Sequence, residues 1–211
     1  MKNVLVLGAT GQIAQWAIDF LQQQPEISLT LFLRDKNKLA SLSTTNTRII
    51  EGDVLNIDQL TDAMKGQDVV YANLAGDMEG QTQNIITVMK KINIQRLISI
   101  NTLGIYDEVP GNFGKWNNQE IGEYFPAYRK SADLIESSDL DYTIIRAAWL
   151  TDENEVDFEI THKGDAFKGT VVSRKSVAYL VNQIIENPNL YSKKNLGVSK
   201  PNSDADKPYF M

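Results

Sequence analysis

The sequence predicts an α/β fold in which a doubly wound parallel sheet carries helices on both faces. Three observations lead there. Short apolar runs of strand length recur along the chain; segments of helical period separate them; and each connection is close to the usual length of a parallel crossover. With 211 residues and 42% hydrophobic content, the chain can bury one substantial core but not two comfortable ones. A single domain over residues 1–211 is expected, with 151–170 as a small substrate lobe or lid within it.

The N-terminal stretch MKNVLVLGATGQIA organises the rest. Asn3 to Leu7 read as a buried strand, and Gly8, Gly11 and Ala14 follow at intervals of three as the chain turns into a helix. Gly8 permits a tight turn, Gly11 lets a pyrophosphate approach the backbone, and Ala14 lets helix and strand pack closely. Free amides at the helix start then face negative charge. The helix is expected to bury Ile13, Trp16, Ala17, Phe20 and Leu21.

Ser28 to Leu33 form the second strand, closed by Arg34 and Asp35 before a short helical stretch around Asn37 to Leu42. In a dinucleotide fold an acidic residue at this junction bonds the ribose hydroxyls, whereas an arginine receives a 2'-phosphate. Arg34 comes first, which favours NADP; Asp35 keeps NAD in play, and both residues also read simply as a solvated charge and a helix cap. Arg48 to Ile50 make the third strand, and Asn56 caps a helix carrying Leu60, Ala63 and Met64. Asp53, just past the strand, either bonds an adenine edge or satisfies its own turn.

Asp68 to Asn73 form the fourth strand, and the small residues Ala75 and Gly76 at its carboxyl end leave room for a ribose. A helix from about Gln81 to Ile92 follows, then a fifth strand from Arg96 to Ile100 that delivers Asn101 and Thr102 to the same sheet edge. The Thr102 hydroxyl is placed there to polarise a substrate carbonyl. The segment from Asp107 to Asn118, rich in Gly, Pro and Asn, reads as a loop; a helix from Glu120 to Ser138 is interrupted at Pro126. Tyr142 to Arg146 is the sixth strand, Ser173 opens the last helix, and Asn195 to Ser199 add a final strand. Tyr209, Phe210 and Met211 either dock or fray.

Composition narrows the function. Net charge is −6 and the basic residues are scattered, which argues against a nucleic-acid partner. The absence of cysteine excludes disulfides and thiolate chemistry and fits a cytoplasmic protein; no segment has the length and apolarity of a membrane span. His162 reads as a solvated loop residue, and Asp152, Glu153, Glu155 and Asp157 as a solvated face without the spacing of a calcium loop, so no metal is expected.

Taken together, GATGQIA at Gly8–Ala14, LRD at Leu33–Asp35, GD at Gly52–Asp53, NLAG at Asn73–Gly76, NTLGIY at Asn101–Tyr106 and LDYTIIRAAWL at Leu140–Leu150 resemble an atypical short-chain dehydrogenase/reductase of the NmrA-like, NAD(P)-binding group, with a Rossmann fold. The resemblance implies that Gly8, Thr10, Gly11, Gln12 and Ile13 line the pyrophosphate, Arg34 the 2'-phosphate, Asp53 and Val54 the adenine, and Ala75 and Gly76 the ribose. Conventional members pair a tyrosine acid with a lysine four residues later. No tyrosine here has that lysine: Tyr128 is followed at that spacing by Ala132, and Tyr124 by Tyr128.

The expected function is therefore an NADPH-dependent reductase of a small conjugated acceptor, quinone-like or flavin-like, with Thr102 and Tyr128 as candidate proton-donating or orienting groups. The alternative is a non-catalytic NADP(H) sensor acting on a protein partner. An epimerase or dehydratase ranks third, because that chemistry also relies on the missing pair.

Overall fold

The computed structural model describes residues 1–42 and 46–211. Strands β1 (Lys2–Leu7), β2 (Ile27–Leu33), β3 (Thr47–Glu51), β4 (Val69–Ala72), β5 (Arg96–Thr102), β6 (Asp141–Ala147), β8 (Glu159–His162) and β10 (Lys194–Ser199) form one eight-stranded sheet in the order β3-β2-β1-β4-β5-β6-β10-β8. All neighbours are parallel except β8, which runs antiparallel to β10. A separate parallel pair, β7 (Trp149–Thr151) with β9 (Val171–Ser173), lies past the end of β6. Because β1, β4 and β5 are covered on both faces, their sequences are unbroken apolar runs rather than alternating ones.

Helices α1 (Gln12–Gln22) and α6 (Arg174–Glu186) pack against each other on one face. The other face carries α2 (Ile57–Met64), α3 (Met78–Lys91) and α5 (Phe125–Glu136). Two start signals are realised as side-chain caps, Asn56 accepting from the Gln59 amide and Ser173 from Ser176; α3 starts earlier than expected, at Met78, where Asp77 accepts from Gly80. The segment Lys36–Leu42 forms a 3-10 helix. In α1 the buried stripe is Ile13, Ala14, Ala17, Ile18 and Leu21, whereas Trp16 and Phe20 are only partly covered, so the burying face is rotated toward the small residues. Small side chains bring that helix close to the sheet, and the two large aromatics flank the contact.

The segment expected as a loop is largely helical: α4 spans Gly111–Ile121. Its glycines and asparagines have poor helix propensity, so tertiary contacts override it. Phe113 and Asn117 are buried, the Asn117 side chain accepts from the Trp149 indole at 2.8 Å, and Trp116 stacks on Phe113. Pro126 does not interrupt a helix but stands in the first turn of α5, where its missing N–H costs nothing; a 3-10 turn at Gly122–Tyr124 joins the two helices.

Beyond β6 the acidic segment is tied down. Asp152 pairs with Arg174, Glu153 and Glu155 with Lys200, and the Glu155 carbonyl accepts from the Ser173 hydroxyl. His162 ends β8 with its side chain exposed. Among the described residues no helix is long and apolar enough to cross a membrane.

Candidate active site

Strand order reverses between β1 and β4: the chain moves outward through β2 and β3, then crosses to β4 and continues the other way. The crevice outside the carboxyl ends of β1 and β4 is where an open α/β sheet binds ligands. Two adjoining cavities occupy it.

The first, about 320 Å³, is lined by Gly8, Thr10, Gly11, Arg34, Asp53, Val54, Ala75 and Gly76, with Phe32, Asn73 and Gln81 among the further walls. The glycine turn is built for close approach. Gly8 has φ +74°, and a β-carbon on it would lie 2.2 Å from the Asn73 carbonyl oxygen. Gly11 leaves room for the Asn73 side chain, whose amide nitrogen would be 2.0 Å from a β-carbon there. Asn73, at the end of β4, is thus the partner that both glycines accommodate. Unlike α2, α3 and α6, helix α1 has no side-chain cap; its first backbone bond runs from Gln15 N–H to the Gly11 carbonyl at 2.9 Å. The amides of Gln12, Ile13 and Ala14 therefore find no acceptor within the helix, and the positive end of its dipole faces the crevice. That donor set fits a dinucleotide pyrophosphate.

At the cavity rim Arg34 is exposed and lines the wall. Asp35 turns away to accept from the Asn37 backbone amide at 3.2 Å, in the capping role. Asp53 also lines the cavity, and one of its carboxylate oxygens satisfies its own turn by accepting from Leu55 N–H at 2.9 Å.

The second cavity, about 370 Å³, shares Gly11, Asn73, Leu74 and Ala75 with the first and continues past Gln12 and Ile13 to Thr102, Tyr128, Ala147 and Ala148. All twelve residues singled out from the sequence thus line one or both of two adjoining spaces. Asn101 joins the two candidate chemical groups: its side-chain oxygen accepts from Thr102 N–H at 2.8 Å and its amide donates to the Tyr128 carbonyl at 3.1 Å. Burial, followed by the neighbouring Tyr124, raises the Tyr128 phenol above its ordinary value. Among the described residues no lysine lines either cavity to lower it.

Sequence reasoning missed Arg174, a charged side chain on the wall of the second cavity. It stands at the first position of α6, immediately after the Ser173 cap, and that position was its only sequence signal. Trp149 walls an adjacent space, whereas Trp116 packs behind it with ring centroids 4.8 Å apart.

This fold and crevice define a nucleotide-binding protein of the Rossmann type, and comparison with known proteins agrees. The structure superposes on a Rossmann-fold NAD(P)-binding family protein from Shigella flexneri with a TM-score of 0.85 and 46% identity, covering 100% of both chains. A short-chain dehydrogenase/reductase from Veillonella parvula, solved in complex with NADP, matches with a TM-score of 0.92 and 28% identity over 99% of each chain. A Bacillus subtilis relative named as an uncharacterized sugar epimerase, YhfK, is 25% identical over 72% of this chain and 73% of its own. Residues 8–188 match the family described as NAD(P)H-binding, and the chain belongs to that family, as an atypical member of the short-chain dehydrogenase/reductase class.

Proposed function

We propose that the protein is an NADPH-dependent reductase of a small conjugated acceptor, quinone-like or flavin-like. The observation that carries this reading is the second cavity: it continues from the glycine turn to Thr102 and Tyr128, with no lysine among the described residues that line it. Bound NADPH supplies the hydride, and one proton completes a two-electron reduction of the acceptor. An acceptor that is already electron-poor needs alignment more than acid catalysis. In this reading the Tyr128 phenol, kept protonated by burial, or the Thr102 hydroxyl orients the acceptor oxygen and delivers that proton.

The cofactor assignment follows the cavity walls. The amides from Thr10 to Ile13 hold the pyrophosphate, Arg34 the 2'-phosphate, Asp53 and Val54 the adenine, and Ala75 with Gly76 the ribose. Arg34 lines the cavity and Asp35 does not, which supports NADPH over NADH. The placement in the NmrA-like group, a cytoplasmic location and a substrate lobe or lid at residues 151–170 belong to the same reading.

A second reading, a non-catalytic NADP(H) sensor, is favoured by one observation: the Tyr128 phenol is shifted away from, not toward, the range of an active acid. Fluorescence titration with NADPH and NADH, followed by a panel of quinones, flavins and aldehydes, separates the two. Loss of NADPH fluorescence that depends on acceptor supports the reductase; tight binding without turnover on any acceptor supports the sensor. An epimerase remains the weakest fit, because no tyrosine in the site has a lysine to activate it.

A further inference from the structure

Next to the second cavity lies a third space of about 390 Å³, bounded by Thr102, Ile121, Trp149, Leu150, Arg174 and Phe210. It shares Thr102, Ala148, Leu150 and Arg174 with the second cavity, so it opens onto the place where an acceptor meets the cofactor. Its lining is apolar apart from Thr102 and Arg174. Two aromatic side chains stand in it, Trp149 and Phe210.

Trp149 is held rigidly. Its only donor, the indole N–H, is used by Asn117, and Trp116 packs on its ring. What it offers the cavity is an apolar surface. Phe210 arrives from the C-terminal tail, which is tied along the domain: the Thr170 hydroxyl donates to the Ser203 carbonyl at 2.7 Å, Gly169 N–H donates to Asp204 at 3.0 Å, and the Tyr209 hydroxyl donates to Glu153. Phe210 packs edge-on against Tyr209, with centroids 5.4 Å apart, and is 45% exposed.

Among the described residues Arg174 is the only charged side chain lining the second and third spaces. Its side chain is 18% exposed, and its hydrogen bonds, to the Leu150 carbonyl and to Asp152, both use Nη1. Among the described residues Nε and Nη2 have no protein acceptor. A guanidinium on the wall of an apolar slot, with Nε and Nη2 unused, suits a carboxylate or sulfonate.

We infer that the acceptor is a flat, apolar molecule carrying one anionic group, its ring covered by Trp149 and Phe210 and its anion held by Arg174. This rests on the reductase reading for the chemistry, but not for the binding. The tail is thereby part of the acceptor site, and Arg174 sets its preference.

The test uses two matched pairs of ligands. The redox-inert pair, 2-naphthoate and 2-naphthalenemethanol, is titrated into NADP-loaded protein by calorimetry; 1,4-naphthoquinone-2-sulfonate and 1,4-naphthoquinone are compared as acceptors with NADPH. Anion binding at least about tenfold tighter than that of the neutral analogue is expected, from the strength of a charge-assisted pair. Arg174→Gln should erase the preference while leaving the neutral ligand and NADPH affinity unchanged, Arg174→Lys should restore part of it, and Phe210→Ala should weaken both ligands. A preference that survives Arg174→Gln overturns the inference. So does an Arg174→Gln protein that binds NADPH more weakly and the two ligands equally less well, because Arg174 would then serve the cofactor phosphates. Selective 2-naphthoate binding without turnover of any quinone supports the anion site and overturns only the reductase reading.

Discussion

Arg146 and Glu108 form an ion pair in the interior, their side chains 1% and 6% exposed. Glu108 also accepts from the amides of Gly104 at 3.1 Å and Tyr106 at 2.9 Å, while Arg146 Nε donates to Asn195 at 2.8 Å. One carboxylate thus pins the turn that follows β5 to the end of β6, next to the acceptor side of the crevice. Removing one partner strands the other charge without water. Glu108→Ala is expected to cost about 3–5 kcal/mol in urea unfolding, and the double replacement Glu108→Leu with Arg146→Met to cost less than either single change. A double variant as unstable as the sum of the singles would show that the pair is not the unit that matters.

The two glycines of the N-terminal turn should fail differently. Gly8 needs a positive φ and meets backbone, so Gly8→Ala should lower stability by at least about 1–2 kcal/mol as well as abolish NADPH binding. At Gly11 the helix N-cap has φ −65°, open to any residue, and the obstacle is the movable Asn73 side chain. Gly11→Ala should therefore keep most of the stability and lose cofactor affinity. Paired urea curves and NADPH titrations read both; equal unfolding midpoints for the two variants would contradict this division.

Arg34→Ala is expected to weaken NADPH binding by about 1.5–3 kcal/mol and NADH binding much less, from the loss of a charge-assisted bond to the 2'-phosphate. Fluorescence titration of both nucleotides measures the difference. Equal losses would remove Arg34 from the phosphate.

Tyr71 is fully buried on β4, and its hydroxyl has no hydrogen-bond partner among the described residues. Burial raises its pKa in the folded protein, so the phenol stays neutral there while the unfolded chain ionises near 10. Its contribution to stability is constant below pH 10 and declines above it, by up to about 1.4 kcal/mol per pH unit. Tyr71→Phe should stabilise the protein by about 1–2 kcal/mol at pH 7, by removing an unpaired buried hydroxyl, and by more at pH 11. A Phe-minus-Tyr difference that is the same at pH 7 and pH 11 would refute the linkage. Tyr106 is raised in the same direction, by burial and then by Glu136, and adds to the alkaline loss in both proteins.

Much of this was legible in the sequence because the signals are local. The apolar runs of β1, β2, β4 and β5, the caps Asn56 and Ser173, and the glycine turn each declare themselves within a few residues. Helix α4 did not, because its GNFGKWNNQEI sequence disfavours a helix and only Trp149, thirty-two residues further on, gives Asn117 a partner. The antiparallel β8 was equally silent: four residues with weak patterning find their place only against β10. Arg174 and Phe210 belong to the same category. Each has its neighbours assigned by the closing of the sheet, so no spacing in the chain points to a shared cavity.

The bonds that fasten residues 152–157 to the start of α6 also bear on kinetics. The segment is held to the start of α6 at three points, Asp152 to Arg174, Asn154 to Lys175 and Asp157 N–H to Ser176. Ligand capture at this site should then proceed in one step at a rate set by diffusion and orientation, linear in concentration, rather than levelling off at the opening frequency of a flap.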